Sequence, residues 1–185
     1  MGHWDRPATV NVSKPLLSIS QSAVSAVTRS LFAESVIIIS NTQAKGVDGG
    51  SLVKDQWNTV PLTLIEANTG SLCTDPLVAN TFTLAPATYL VIANIPVFSC
   101  GACESRLYNN TAIEVTLIGS SGWASNNVSY PGFALLPIVG VFTIAVSSTF
   151  KMEVYCTASQ STNGFGKNLD ITTEKYAQVF LLKLE

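Results

Sequence analysis

Charge is the scarcest property of this sequence. Only 12% of its 185 residues are Asp, Glu, Lys or Arg, against a value of roughly 25% for soluble domains. The ten basic residues form no run, and the formal net charge is −2. Nucleic acid binding depends on clustered Lys and Arg that neutralise phosphates. The composition therefore excludes nucleic acid as an expected partner and favours burial of apolar surface against other protein.

Groups that could perform catalysis are rare as well. The only histidine is His3, at the N-terminus, so a Ser–His–Asp or Cys–His arrangement has no base within the body of the chain. The carboxylates in expected strands are scattered and form no close pair of the kind that glycosidases use; they are Glu66, Glu104, Glu114 and Glu153. We therefore predict no enzymatic activity, no catalytic residue and no cofactor.

The four cysteines leave three interpretations open. Cys100 and Cys103 have the CxxC spacing used in zinc and redox sites, but a zinc site would need two further ligands, such as Cys73 and Cys156. A disulfide is the second interpretation. Buried thiols in a protein made in a reducing cytoplasm are the third, which we favour. We assign no metal ligand.

No long hydrophobic run is present. The longest, residues 133–146, is interrupted by Pro137 and Gly140 and is shorter than the roughly 20 residues of a membrane helix. The N-terminus lacks the basic start and apolar stretch of a signal peptide. We expect a soluble protein made in the cytoplasm, with no membrane partner.

The sequence divides near residue 33. Residues 1–33 are too apolar for a free disordered tail and too short to form a core of their own. We interpret them as an extended arm that docks on another protein. Its candidate docking residues are Trp4, Leu16, Leu17 and Phe32.

From residue 34 onward, short segments rich in β-branched and aromatic residues alternate with turn signals such as Asn109-Asn110. This pattern predicts an all-β sandwich, jelly roll or barrel. The stretch 133–146 should hold two strands or one strand with a bend at Pro137. The expected strand segments are 36–39, 57–67, 81–84, 89–96, 106–108, 113–119, 133–146, 150–156 and 176–184.

The last of these segments is apolar on both faces. Phe180 and Leu182 lie on one face, and Val179 and Leu181 on the other, whereas a strand with one wet face should alternate apolar with polar residues. Either a neighbouring subunit or the chain's own arm covers the second face, and we favour a subunit. The residues assigned to this contact are Ile37, Ile39, Tyr176, Phe180 and Leu182.

Several motifs follow one another in a characteristic order. Residues 34–51 are followed by Trp57-Asn-Thr, Ile65-Glu-Ala and Arg106-Leu-Tyr-Asn109; Phe150-Lys-Met-Glu-Val-Tyr-Cys156, Thr162-Asn-Gly-Phe-Gly166 and Tyr176-Ala-Gln-Val-Phe180 come next. In this order and spacing, residues 34–185 resemble the C1q/TNF-like domains of phage structural proteins.

The resemblance implies a ten-stranded C1q/TNF-like jelly roll that forms a homotrimer and has no catalytic machinery. With a short apolar arm, a small head and no fibre shaft, we expect a capsid decoration (cement) protein, made in the host bacterial cytoplasm and bound to the major capsid protein on the outer surface of the virion. The alternative is a tail or fibre adaptor, or a receptor-binding module that recognises the host surface.

Overall fold

The computed structural model describes residues 35–73 and 77–184, so the predicted arm, with Trp4, Leu16, Leu17 and Phe32, lies outside the described residues. The described chain is almost entirely antiparallel β-structure, with a single 3-10 turn at Thr69–Ser71. The strands are β1 Val36–Gln43, β2 Trp57–Thr59, β3 Leu64–Asn68, β4 Phe82–Leu84, β5 Ala87–Phe98, β6 Gly101–Asn109, β7 Glu114–Ala124, β8 Asn126–Asn127, β9 Tyr130–Pro131, β10 Phe133–Ile144, β11 Ser148–Cys156 and β12 Glu174–Lys183.

Two five-stranded sheets form a sandwich. The first sheet has the order β10-β5-β12-β1-β3; the second has the order β2-β11-β6-β7, with β4 also paired to β11. The chain passes repeatedly from one sheet to the other, and β12 inserts between β1 and β5. This is the strand arrangement of a jelly roll. The prediction of an all-β, ten-stranded jelly roll is confirmed, and the short β8–β9 pair is an addition to it.

The core forms where the alternating residues of both sheets meet. β6 shows strict alternation of buried and partly exposed residues from Gly101 to Asn109, as expected for a strand with one face on the core. A run of aromatic rings crosses the interior, with Phe150 near both Phe82 and Phe142, and Phe142 stacked on Tyr89. Packing between these side chains joins the two sheets.

Two strand expectations need correction. Residues 57–67 are not one strand: β2 belongs to the second sheet and β3 to the first. Pro61, between the buried Val60 and Leu62, lies in the connection that changes sheets. Conversely, β10 runs without interruption through Pro137. It is an edge strand, where a residue without an N–H is tolerated.

The two ends of the sandwich differ. The Lys183 N–H donates to the Ser35 carbonyl and the Leu184 N–H to the Thr88 carbonyl, both at 2.8 Å, so the described chain enters and leaves side by side. We call this the terminal end. The connections after β1, β5, β7 and β11 lie at the opposite end, the loop end. No helix within residues 35–73 and 77–184 has the length and hydropathy to cross a membrane.

Candidate interaction surfaces

The outer face of the first sheet carries two cross-strand rows of apolar side chains. The register aligns one residue from each of β1, β12, β5 and β10 in every row. We call these eight residues the apolar face: Val36, Leu182, Leu90 and Val141 form the first row, and Ile38, Phe180, Ile92 and Val139 form the second. Each row places β-branched, leucine or aromatic side chains directly opposite one another, the arrangement that packs well on a sheet.

Much of this surface is open in the single chain. Val139 is 63% exposed, Val141 55% and Ile92 40%. Contiguous apolar patches of this kind mark interaction sites in soluble proteins. The described residues leave the apolar face uncovered, so its burial requires another protein segment.

Polar residues limit the apolar face on the side of the loop end. The next row contains Ser40, Gln178 and Asn94. Beyond them the Lys175 ammonium lies 2.7 Å from a Glu66 carboxylate oxygen. The hydrogen bond from Lys175 holds the pKa of Glu66 below its usual value. The apolar face therefore occupies the part of the sheet nearer the terminal end.

The five predicted contact residues fall in three places. Phe180 and Leu182 lie on the apolar face, half-buried. Ile37 and Ile39 lie in the core with no exposed surface, so their assignment to a subunit contact is wrong; the β1 residues that point to the outer face are Val36 and Ile38. Tyr176 lies at the loop end, where its hydroxyl donates to the Val47 carbonyl at 2.7 Å.

Sequence reasoning missed the β5 and β10 members of the apolar face. A signal for them was present in the stretch 133–146, where Val139 and Val141 stand at alternate positions. Because the sequence analysis considers only how many strands this segment holds, it does not identify the exposed side.

A second exposed apolar surface lies along β7, at the edge of the second sheet, where Ile118 stands opposite Arg106 and Trp123 opposite Ala102. Ile118 is 72% exposed and Trp123 66%. β7 packs beside β10, where a Cβ on Gly140 would lie only 2.9 Å from Leu117, so glycine permits this close approach. We call Ile118 and Trp123 the β7 side; it differs in shape and position from the apolar face.

The outer face of the second sheet carries a charged cluster whose members bind one another. The Glu153 carboxylate lies 2.6 Å from both the Arg106 guanidinium and the Lys151 ammonium. The Arg106 guanidinium also lies over two aromatic rings, 3.8 Å from the centroid of Trp57 and 4.8 Å from that of Tyr108. Ion pairing and cation–π contact together give this face its own internal partners.

This cluster explains the Arg106-Leu-Tyr-Asn109 motif. Arg106 and Tyr108 face outward, whereas Leu107 and Asn109 are buried. The Asn109 side-chain oxygen accepts hydrogen bonds from the Thr111 and Ala112 N–H groups at 2.9 and 3.0 Å and so shapes the turn after β6. The motif has a structural role in a strand and its turn.

A pocket of about 620 Å³ opens at the loop end, beside β5 and β10. Its apolar wall includes Phe98, Phe133, Leu135 and Tyr176, and Lys167 lies at its border. We call it the loop-end pocket. Its volume lies within the range of small-ligand sites.

Two carboxylates hold the loop beside this pocket. Asp48 accepts from the Asn168 N–H at 2.9 Å and from the Asn168 side-chain amide at 2.7 Å, and the backbone hydrogen bond keeps the pKa of Asp48 below its usual value. Glu174 accepts from the N–H groups of Leu169 and Asp170 at 3.1 and 2.8 Å. These bonds give the pocket a defined wall.

The candidate catalytic and metal-binding residues differ in their surroundings. Glu66 and Glu153 are engaged by lysine and arginine side chains, and His3 lies outside the described residues. Cys100, Cys103 and Cys156 are buried thiols that form no disulfide. Residues 35–73 and 77–184 contain no group of three or more His, Cys, Asp or Glu side chains arranged to hold a metal ion.

Comparison with known proteins gives structural similarities at low sequence identity. No family model matches the chain, and no curated protein matches it by sequence. The globular domain of zebrafish complement 1qA protein is similar at 12% identity, covering 82% of this chain and 98% of that one, with a TM-score of 0.48. Murine APRIL at pH 8.0 is similar at 10% identity, covering 80% and 98%, with a TM-score of 0.47.

Proposed function

We propose that this chain is a non-enzymatic structural protein of a phage-type virion, which assembles as a homotrimer and decorates the capsid. The apolar face is the observation that carries this proposal. It supplies a self-association surface on a small domain, and the ordered motifs of residues 34–185 resemble phage structural proteins. The short apolar segment 1–33 supplies the part that docks on the major capsid protein.

The two exposed apolar surfaces favour an assembly of more than two subunits. A face-to-face dimer would bury the apolar face of both copies and leave the β7 side exposed. A head-to-tail contact, in which the β7 side of one copy packs on the apolar face of the next, uses both surfaces in every copy and gives a ring when the rotation between copies closes. The family resemblance implies that the ring contains three subunits.

The terminal end then determines how the trimer binds the shell. Ser35 and Leu184 lie together at that end, so in a three-fold ring all three arms leave from the same end. Each arm contributes apolar burial at about 25 cal/mol per Å², and linkage of three arms raises their effective concentration on the capsid. The proposed anchors are Trp4, Leu16, Leu17 and Phe32.

Quantitative mass spectrometry of purified virions tests the location. We expect a ratio to the major capsid protein that approaches one or is a simple fraction of one, because a decoration protein covers the whole shell. A ratio of a few per hundred would overturn capsid decoration and place the protein in the tail or fibres.

A truncation tests the division of labour between arm and head. A chain lacking residues 1–33 should remain a trimer but no longer bind shells that have been stripped of the full-length protein. Dissociation of the truncated chain into monomers would contradict the assignment of trimerisation to the apolar face.

The second candidate is a tail or fibre module that recognises the host surface. The loop-end pocket favours it, because the pocket lies at the end of the sandwich opposite Ser35, from which the arm extends. Replacement of exposed Phe133 by serine should then reduce adsorption of virions to host cells, whereas replacement of Val128, exposed outside the pocket lining, should not. Unchanged adsorption with both variants would contradict this candidate.

A further inference from the structure

The row of side chains next to the charged cluster, on the outer face of the second sheet, has one carboxylate and no cation. The register aligns one residue from each of β2, β11, β6 and β7 in this row: Trp57, Tyr155, Glu104 and Ser121. The ion pairs formed within residues 35–73 and 77–184 do not include Glu104. Arg106, the next outward-facing residue of β6, is bound to Glu153 and therefore leaves the Glu104 charge unpaired.

Glu104 lines a cleft of about 250 Å³, together with Ala102, Ser121, Tyr155 and Thr157. Ala102 and Glu104 lie on the partly exposed side of β6, opposite its buried residues, so the cleft opens on the outer face of the sheet. Because the side chains of Ala102 and Ser121 are small, they leave room beside the Tyr155 ring and the carboxylate. This volume is below the roughly 300–1,000 Å³ of drug-sized sites and suits a small chemical group.

The cleft combines one negative charge, hydroxyl oxygens and an aromatic ring. Among the described residues that line it, only Glu104 is charged at neutral pH. Ser121 stands directly opposite Glu104, and the Thr157 hydroxyl oxygen is held at the cleft by accepting from the Ala102 N–H at 2.9 Å. These groups supply oxygen acceptors on more than one side of the cleft.

A primary ammonium group matches this set of side chains. It carries three N–H donors and no acceptor, and its positive charge complements the carboxylate of Glu104. A cation is also attracted to the face of an aromatic ring, which Tyr155 provides on the neighbouring strand. An anionic group would be repelled by Glu104 and would find no cation in the lining.

We propose that this cleft binds a primary ammonium group on an alkyl chain, with Glu104 as its ion-pair partner. The ammonium donates to the Glu104 carboxylate and to the hydroxyl oxygens of Ser121 and Thr157, and its methylene groups lie against the Tyr155 ring. Either a free alkylamine or a lysine side chain supplies this chemistry. The proposal is independent of the virion role.

A nuclear magnetic resonance titration of the isotope-labelled protein with n-butylammonium chloride, at pH 7 and constant ionic strength, tests the site. We expect saturable shifts of the backbone amide signals of Glu104, Ser121 and Tyr155. The neutral comparison is 1-pentanol, which has a similar chain and no charge and should give no saturable shift. Absence of saturation with n-butylammonium would overturn the proposal, and equal binding of 1-pentanol would show that the cleft does not select an ammonium.

Glu104→Gln removes the charge at nearly constant size. Loss of a hydrogen bond to a charged group should weaken the binding of n-butylammonium by about tenfold. The matched control is Glu114→Gln, an exposed carboxylate on β7 outside the cleft, which should bind as the wild type does. The dispersion of the amide signals shows in the same spectra that each variant is folded, so unchanged affinity in folded Glu104→Gln would overturn the role of Glu104.

A second titration distinguishes the two sources of the ammonium. Nα-acetyl-lysine N-methylamide carries the same group on a peptide backbone. Tighter binding of this compound than of n-butylammonium would identify a lysine of a partner protein as the ligand, whereas equal or weaker binding would identify a free alkylamine. Either result supports the ammonium site, provided that Glu104→Gln weakens it.

Discussion

The charged cluster on the second sheet and the apolar face of the first sheet differ in whether their side chains find partners within the chain. On the second sheet, Glu153 is surrounded by Arg106 and Lys151, and Trp57 and Tyr108 cover the guanidinium. The charged groups of this cluster find their partners within one chain. The apolar face of the first sheet has no such partners among the described residues, and its valines and isoleucines remain open to water.

This difference favours the apolar face, rather than the charged cluster of the second sheet, as a contact with other protein. A partner on the cluster of Arg106, Lys151 and Glu153 would have to desolvate charged groups whose bonds are already made, which costs free energy without new pairing. A partner on the apolar face removes only apolar surface from water, which is favourable in proportion to the area. Four predictions test this contrast.

The largest effect is expected from a charge on the apolar face. Val139→Lys should dissociate the assembly into monomers, because an unpaired ammonium in an apolar contact costs about 3 kcal/mol or more. Size-exclusion chromatography with light scattering measures the molar mass. The matched control is Thr83→Lys on β4 of the second sheet, which should leave the assembly intact. Dissociation caused by Thr83→Lys, and not by Val139→Lys, would show that the apolar face is not the interface.

Substitutions at two neighbouring residues of β1 distinguish effects on folding from effects on assembly. In the Val139→Lys background, Ile37→Ala should lower the free energy of unfolding by about 2–4 kcal/mol, because it leaves a cavity in the core. Ile38→Ala should lower it by less than about 1 kcal/mol, because Ile38 keeps a partly exposed side chain. Urea unfolding followed by circular dichroism gives both values, and equal losses would show that β1 is buried on both faces within the monomer.

A substitution in the charged cluster of the second sheet should lower the free energy of unfolding but leave the oligomeric state unchanged. Glu153→Gln leaves Arg106 and Lys151 without their carboxylate, and since Glu153 is almost fully buried we expect a loss of about 2 kcal/mol. The oligomeric mass should stay the same. Glu104→Gln, on the same strand as Arg106, is the control and should change stability by less than about 0.5 kcal/mol. A change in oligomeric mass with Glu153→Gln would contradict the contrast between the faces.

The smallest effect concerns pH. The hydrogen bond from Lys175 lowers the pKa of Glu66 in the folded protein, so ionised Glu66 contributes stability above the pKa that Glu66 has in the unfolded chain. That contribution is lost as pH falls through the lower folded pKa. Because both side chains are partly exposed, we expect at most about 0.5 kcal/mol. Glu66→Gln should reduce the slope of stability against pH in the acidic range, measured by urea unfolding; an unchanged slope would show that the pair is not maintained in solution.

Segments rich in β-branched and aromatic residues between turn signals predicted much of the fold. β5, β11 and β12 were expected over most of their length, whereas only residues 106–108 of β6 were expected. Such content does not settle orientation at β1, where Val36, Ile37, Ile38 and Ile39 are all apolar and β-branched, so composition does not say which pair points inward. Pairing with β12 settles it: Ile38 stands opposite Phe180, and Ile37 opposite Leu181, which lies in the core.

The composition of each surface depends on contacts between residues that are far apart in the sequence. Arg106 and Glu153 are 47 positions apart, and the apolar face combines four strands from β1 to β12. Neither grouping can be read from local spacing, because a sheet joins residues according to strand order and register. Cys100 and Cys103 were visible as a CxxC motif, but their burial follows only from where the folded chain places β6 and the turn before it.

By itself, the sequence determined the all-β class, the positions of most strands and the excess of apolar over charged residues, since these depend on local periodicity and composition. Only the tertiary structure decided which apolar residues face the core and which remain exposed, which charges meet, and where the chain ends lie relative to the pocket. Those features arise when non-adjacent strands pair, and a one-residue change of register would move each side chain to the opposite face of its sheet.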